Sequence, residues 1–237
     1  MTKTINKQNT LMIAHRGLSG LEKENTIMAF TAACQLSYYG CECDIHKTKD
    51  GKYVVIHDSD TLRVAGKSLI IEESNFKDIR KLELLGMDSK PHKILQIPTL
   101  EEYINTLKRY NKKAIIEYKN TFQKEDVKEV LDLIKSLGYL DHCIFISFGI
   151  ENLIHTLEYQ MTLPCQYLMV EPTEEKLSYC FKYHMGIDLY YRFITKELVE
   201  RFHNANLFVN CWTVNEVEEG NLLASLGVDF ITTNILE

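Results

Sequence analysis

The chain alternates. Short runs rich in β-branched and other apolar residues recur along it, and a longer amphipathic run follows nearly every one. Few folds satisfy that order, because consecutive parallel strands need crossovers and helices are the usual crossover. Strands are expected at 10–14, 40–46, 53–57, 113–118, 142–148, 165–170, 186–191, 207–214 and 228–233. A helix is expected at 25–39, capped by Asn25 or Thr26, and another from Thr99, where Thr-x-x-Glu forms a capping box. One more ends at Gly138, and others fit 151–160, 173–184, 195–205 and 215–226. With 53–57 set aside as a side hairpin, eight strands remain, the number of a closed TIM (β/α)8 barrel. A doubly wound open sheet is the alternative. Residues 59–98 far exceed an ordinary βα loop of about 2–6 residues and predict a small inserted subdomain leaving the C-terminal rim. Only Ile235, Leu236 and Glu237 follow "FITTN", so the last barrel helix is expected to be missing or vestigial.

Composition narrows the function. The 237 residues are 45% hydrophobic, enough for one domain with a buried core. A net charge of -6 gives no basic face for nucleic acid. No apolar run approaches the roughly 20 residues of a membrane helix, so no stable membrane insertion is expected. The start, MTKTINKQNT, is polar and lacks the apolar centre of a signal peptide. Seven irregularly spaced cysteines, most inside apolar runs, read as reduced core thiols of a cytoplasmic protein.

The chemistry concentrates at strand ends. In "GCECDIHKTKDG", Glu42 and Asp44 share one strand face with His46, while Cys41, Cys43 and Ile45 take the other. Glu117 ends the next full strand, "AIIEYKN", with Lys119 as its i+2 neighbour. Two like charges 4 Å apart repel by about 4 kcal/mol at an effective dielectric of 20. Three such carboxylates suit a hard divalent cation, Mg²⁺ or Ca²⁺, better than a shared proton, whereas a Glu117–Lys119 rim ion pair is the plainer reading of that strand alone. His15 ends "LMIA" and His57 ends "YVVI", a pair able to divide proton transfer near neutral pH. Arg16 offers a guanidinium to phosphate oxygens, or to Glu24 in a structural ion pair. Trp212 is either a core aromatic or an apolar wall over a ligand.

In order, IAHRG, ENT, ECDIHKTKDG, VVIHD, IEYK, WTVN and GVDFITT resemble the glycerophosphodiester phosphodiesterase family, from residue 11 to residue 234. The resemblance implies a TIM barrel with an insertion and hydrolysis of a small-molecule glycerophosphodiester to glycerol 3-phosphate and an alcohol. It implies one divalent cation held by Glu42, Asp44 and Glu117, an acid–base pair in His15 and His57, and phosphate contacts from Arg16 and Lys119. A proline usual before ENT is replaced by the Lys23–Glu24 sequence, and Gly149 stands where the family has a polar residue. The alternatives are a lyase-like phospholipase, of the sphingomyelinase D or phosphatidylinositol-specific phospholipase C type, and a non-catalytic binding barrel.

Overall fold

A computed structural model describes residues 1–237. Eight parallel strands close a barrel: β1 (Leu11–Ala14), β2 (Gly40–Lys47), β6 (Lys113–Tyr118), β7 (Cys143–Ser147), β8 (Cys165–Met169), β9 (Gly186–Tyr190), β10 (Val209–Trp212) and β11 (Phe230–Thr233). Sheet order is β1-β11-β10-β9-β8-β7-β6-β2, and β1 also pairs with β2, which completes the ring. The open-sheet alternative is thereby excluded. β3 (Tyr53–Val55) hangs antiparallel on β2 as the expected side hairpin.

Seven helices wrap the ring: α1 (Ile27–Cys34), α4 (Leu100–Tyr110), α5 (Lys124–Ser136), α6 (Ile150–Tyr159), α7 (Glu174–Tyr183), α8 (Lys196–Asn204) and α9 (Val217–Leu226). Their apolar faces cover the outward strand residues, among them Cys41, Cys43 and Ile45. All seven cysteines are buried and unpaired. Thr99 and Glu102 close the capping box of α4 in both directions, and Gly138 takes φ +66° after α5.

No helix follows β11. Lys3 instead forms a parallel bridge with Leu236, and Ile5 and Leu236 are buried against Gly220 of α9. A Cβ there would lie 2.9 Å from Leu236 Cδ1, so glycine is what admits the two termini. Between β3 and α4 the insertion carries α2 (Leu62–Ala65), α3 (Phe76–Ile79) and a two-residue-stranded hairpin, β4 (Leu84–Leu85) with β5 (Pro91–His92). Val64, Ile71, Ile79, Leu84, Leu95 and Ile97 give it a small apolar cluster of its own, joined to Val54 and Ile56.

Two expected elements shorten most. The helix expected at 25–39 runs only from Ile27 to Cys34, because Thr26 is its cap and Tyr39 N already donates to Met12 O beside β1. The strand expected at 207–214 is Val209–Trp212, because Leu207 N donates back to Phe202 O to close the turn after α8.

Candidate active site

The C-terminal ends of β1, β2 and β6 form one wall of a cavity of about 230 Å³ inside the barrel mouth. Arg16 has φ +54°, a left-handed turn at the end of β1 that aims its N–H at Glu42 Oε2, 2.8 Å away. Asn25 has φ +54° too, and its Nδ2 donates to Asp44 Oδ2 at 2.8 Å, so it serves the acid cluster rather than capping α1. Arg16 spans Glu24 (2.9 Å) and Asp44 Oδ2 (3.3 Å), which combines the structural and site-facing readings of that residue. Lys119 Nζ lies 2.8 Å from Glu117 Oε1 and 3.4 Å from Asp44 Oδ1.

Glu42, Asp44 and Glu117 are all buried, and one oxygen from each lies within 4.8 Å of the others. Burial and the Asp44 carboxylate push Glu42 well above the usual carboxylate range, and push Glu117 up to about 8. Burial opposes ionisation of Asp44 also, but Arg16 and Lys119 outweigh it and hold Asp44 down. Glu42 Oε1 and Asp44 Oδ1 are buried without a hydrogen-bond partner; Lys119 approaches the latter without hydrogen-bond geometry. Buried polar atoms are normally satisfied. A hard cation among these three carboxylates would supply what both oxygens lack, so the residues present fit a Mg²⁺ or Ca²⁺ ion.

The two histidines differ in their partners. His15 Nδ1 donates to Asn234 Oδ1 at 2.7 Å, which leaves Nε2 4.0 Å from Glu42 Oε2. Burial and the Arg16 charge lower its pKa to about 4. His57 Nδ1 donates instead to the Asp58 carboxylate, at 2.7 Å. Burial lowers His57 as well, while Asp44 and Asp58 work against that. Arg63 clamps Asp58 (2.6 Å) and Glu24 (2.8 Å), tying the insertion to the loop that carries Arg16. His46 shares the strand face of the acids but does not line the cavity; its Nε2 donates to His57 O at 3.1 Å.

The opposite wall carries little charge. Ile146, Phe148, Leu168, Asp188, Trp212 and Thr232 form it. Trp212 Nε1 donates to Asp188 O at 3.1 Å, and Phe148 meets the indole edge-on at 5.7 Å between ring centres. Trp212 is thus both packed and cavity-facing. The loop at Gly149 contributes its neighbour Phe148. All eight residues singled out from the sequence therefore converge: seven line this cavity, and Asp44 lies in contact with Arg16 and Lys119 behind it. Asn25, Asp58 and Asn234 escaped that reading. Each lies inside a quoted stretch, "ENT", "VVIHD" or "FITTN", which was the signal available.

A barrel whose C-terminal mouth joins an acid cluster, two imidazoles, a guanidinium and an ammonium is built as an enzyme for a small phosphate ester. The glycerophosphoryl diester phosphodiesterase family model matches residues 15–237, and the chain belongs to that family as an enzyme of its class. The chain is 29% identical to the glycerophosphodiester phosphodiesterase of Bacillus subtilis, over 94% of this chain and 83% of that one. It superposes on a glycerophosphodiester phosphodiesterase from Parabacteroides distasonis with a TM-score of 0.79 at 26% identity, covering 95% and 93% of the two chains. The corresponding enzyme of Thermotoga maritima gives a TM-score of 0.78 at 25% identity, with 95% and 94% covered. No helix is long and apolar enough to cross a membrane.

Proposed function

We propose that the protein hydrolyses glycerophosphodiesters to glycerol 3-phosphate and an alcohol, using one divalent cation, Mg²⁺ or Ca²⁺, held by Glu42, Asp44 and Glu117. The observation that carries this is the pair of unpartnered carboxylate oxygens in a buried three-acid cluster that shares its cavity with His15, His57, Arg16 and Lys119. When bound, such a cation polarises a phosphoryl oxygen and offsets the charge that develops on phosphorus. Arg16 and Lys119 orient the phosphate beside it.

His15, neutral and held by an uncharged amide, takes a proton through Nε2. His57, backed by the Asp58 carboxylate, is the better carrier of a proton and gives one to the departing alkoxide. Trp212 walls the cavity against the substrate's apolar surface. The hydroxyls of Ser19 and Thr232 are already engaged, Ser19 Oγ with His15 O (2.7 Å) and Asn234 Oδ1 (2.9 Å) and Thr232 Oγ1 with Asn210 Oδ1 (3.2 Å). The glycerol 2-hydroxyl, already oriented beside phosphorus within the substrate, attacks it, loses its proton to His15 and expels the alcohol. Water then opens the cyclic phosphate: His57, now neutral, takes the water's proton, the bond from phosphorus to the 2-oxygen breaks, and His15 returns its proton to that oxygen, leaving glycerol 3-phosphate. Seven unpaired cysteines suit a cytoplasmic enzyme. The full set of site residues speaks against a non-catalytic barrel, and family membership does not favour the phospholipase alternative.

A coupled assay for glycerol 3-phosphate release from glycerophosphocholine, glycerophosphoethanolamine and glycerophosphoglycerol tests this. Release that requires added Mg²⁺ or Ca²⁺ is expected. No release from any of the three with metal present would reject the reading.

A further inference from the structure

Asp188 takes no part in the chemistry just described. It sits on β9, facing into the barrel, 1% exposed, and it lines the cavity opposite the acid cluster. Its Oδ1 has no hydrogen-bond partner. The polar residues around it are already paired with one another. Thr232 Oγ1 donates to Asn210 Oδ1 at 3.2 Å, and Asn210 Nδ2 donates to Gln166 Oε1 at 3.2 Å. That chain crosses from β10 to β8 beneath Asp188, over Gly186, the residue two positions earlier on the same face of β9. A Cβ at Gly186 would stand 3.2 Å from Gln166 Cγ, so the missing side chain is what lets the chain pass. The cavity's cations are committed elsewhere, Arg16 to Glu24 and Asp44, Lys119 to Glu117 and Asp44. Asp188 is thus a buried carboxyl that the fold leaves unsatisfied at the floor of the substrate cavity, and unsatisfied buried polar groups call for an explanation.

We propose that Asp188 is a specificity-determining residue that reads the free hydroxyls of the substrate's glycerol arm. The proposal rests on the hydrolytic reading above and adds the residue that recognises the polyol. Burial holds Asp188 well above the usual carboxylate range, so it presents one O–H donor and one carbonyl acceptor. A vicinal diol is the complement, since one hydroxyl accepts while the other donates. A site that hydrogen-bonds a hydroxyl discriminates strongly against an analogue lacking it, because its own polar group is then left buried and unpaired.

Calorimetric titration of the protein, in metal-supplemented buffer, with glycerol 3-phosphate and with ethyl phosphate tests this. The second ligand keeps the phosphate and lacks both hydroxyls. Wild type should prefer glycerol 3-phosphate by about 10-fold or more, the scale of one to two hydrogen bonds. Asp188→Ala should bring the two affinities within about 3-fold of each other by weakening glycerol 3-phosphate alone. Asp188→Asn, which keeps a donor and an acceptor, should retain most of the preference. Asp188→Leu preserves the branched shape without hydrogen bonding and should behave as Asp188→Ala, which guards against collapse of the smaller variant. Both apolar variants should melt no lower than wild type, since they remove an unsatisfied buried group. A wild type without preference, apolar variants that keep it, equal weakening of both ligands, or loss of the fold in both apolar variants would overturn the proposal. Preference for glycerol 3-phosphate without diester hydrolysis by the wild type would instead reject the hydrolytic reading and leave the role of Asp188 standing.

Discussion

The two walls of the cavity are built on opposite plans. On the β1–β2–β6 wall, His15, Arg16, Glu42, Asp44, Glu117 and Lys119 crowd together, each placed by another charged or polar group. On the β8–β11 wall, Leu168, Trp212 and Thr232 line the cavity with a single carboxyl, Asp188. Unpaired oxygens remain on both sides, Glu42 Oε1 and Asp44 Oδ1 on one and Asp188 Oδ1 on the other. The lesson is a division of labour. One wall concentrates charge around the phosphorus, and the other offers shape and hydrogen bonding to the substrate's organic arm. Damage to the first should appear in kcat, and damage to the second in KM.

The largest effects should come from the reacting wall. His15→Asn and His57→Asn should each lower kcat by at least about 10²-fold, the usual scale of general acid–base groups. The double variant should lose far less than the product of the two, because the pair acts as a unit. Wild-type kcat in either single variant would break the division. On the receiving wall, Trp212→Ala should raise KM about 10-fold, equivalent to roughly 1.4 kcal/mol, with kcat changed little. A kcat loss as large as that of the histidine variants would move Trp212 to the other side of the comparison.

Two stability effects sharpen the contrast further. Glu42→Gln removes a buried acid that its neighbours oppose, so the metal-free melting temperature should rise by roughly 2–4 °C, the shift expected for about 1 kcal/mol in a chain of this size. The rise on adding Mg²⁺ or Ca²⁺ should shrink in the same variant. A lower metal-free melting temperature with an undiminished metal response would remove Glu42 from the cluster. The smallest effect concerns Glu24, behind the reacting wall. Burial opposes its ionisation, but Arg63 and Arg16 draw its pKa from 4.5 to about 2. Its folded pKa is depressed, so the stability it contributes is present above about pH 4.5 and is lost as pH falls through about 2. Denaturant titrations from pH 7 to pH 2 should show Glu24→Gln destabilised at neutral pH and flatter than wild type between 4.5 and 2. Parallel curves over that interval would show that the Arg63–Glu24–Arg16 link contributes nothing.

The reacting wall was legible in the sequence because its residues end apolar strands, where period-two alternation states which face each side chain takes. Glu42 and Asp44 are the clearest case. The eight barrel strands were legible for the same reason. The supporting groups were harder to see. Asn25 reads as a helix cap, yet it bonds to Asp44; Asn234 meets His15 only when the C-terminus folds against β1, and Asp58, next to His57 in sequence, is clamped by Arg63 only when the insertion folds. Asp188 lies in "GIDLYY", an ordinary alternating strand, and nothing local says that its neighbours Asn210 and Gln166 bond to each other instead. Arg63 reaches Glu24 across 39 positions, a contact set by the insertion and not by any spacing.

The central claim is that the three acids hold one divalent cation on which turnover depends. Titrating Mg²⁺ or Ca²⁺ into exhaustively chelated protein, with bound metal and glycerol 3-phosphate release followed together, tests it most directly. One cation per chain is predicted, with activity rising in step with occupancy and both lost in Glu42→Gln. Full activity in the chelated protein, or occupancy and activity unchanged in that variant, would contradict the claim.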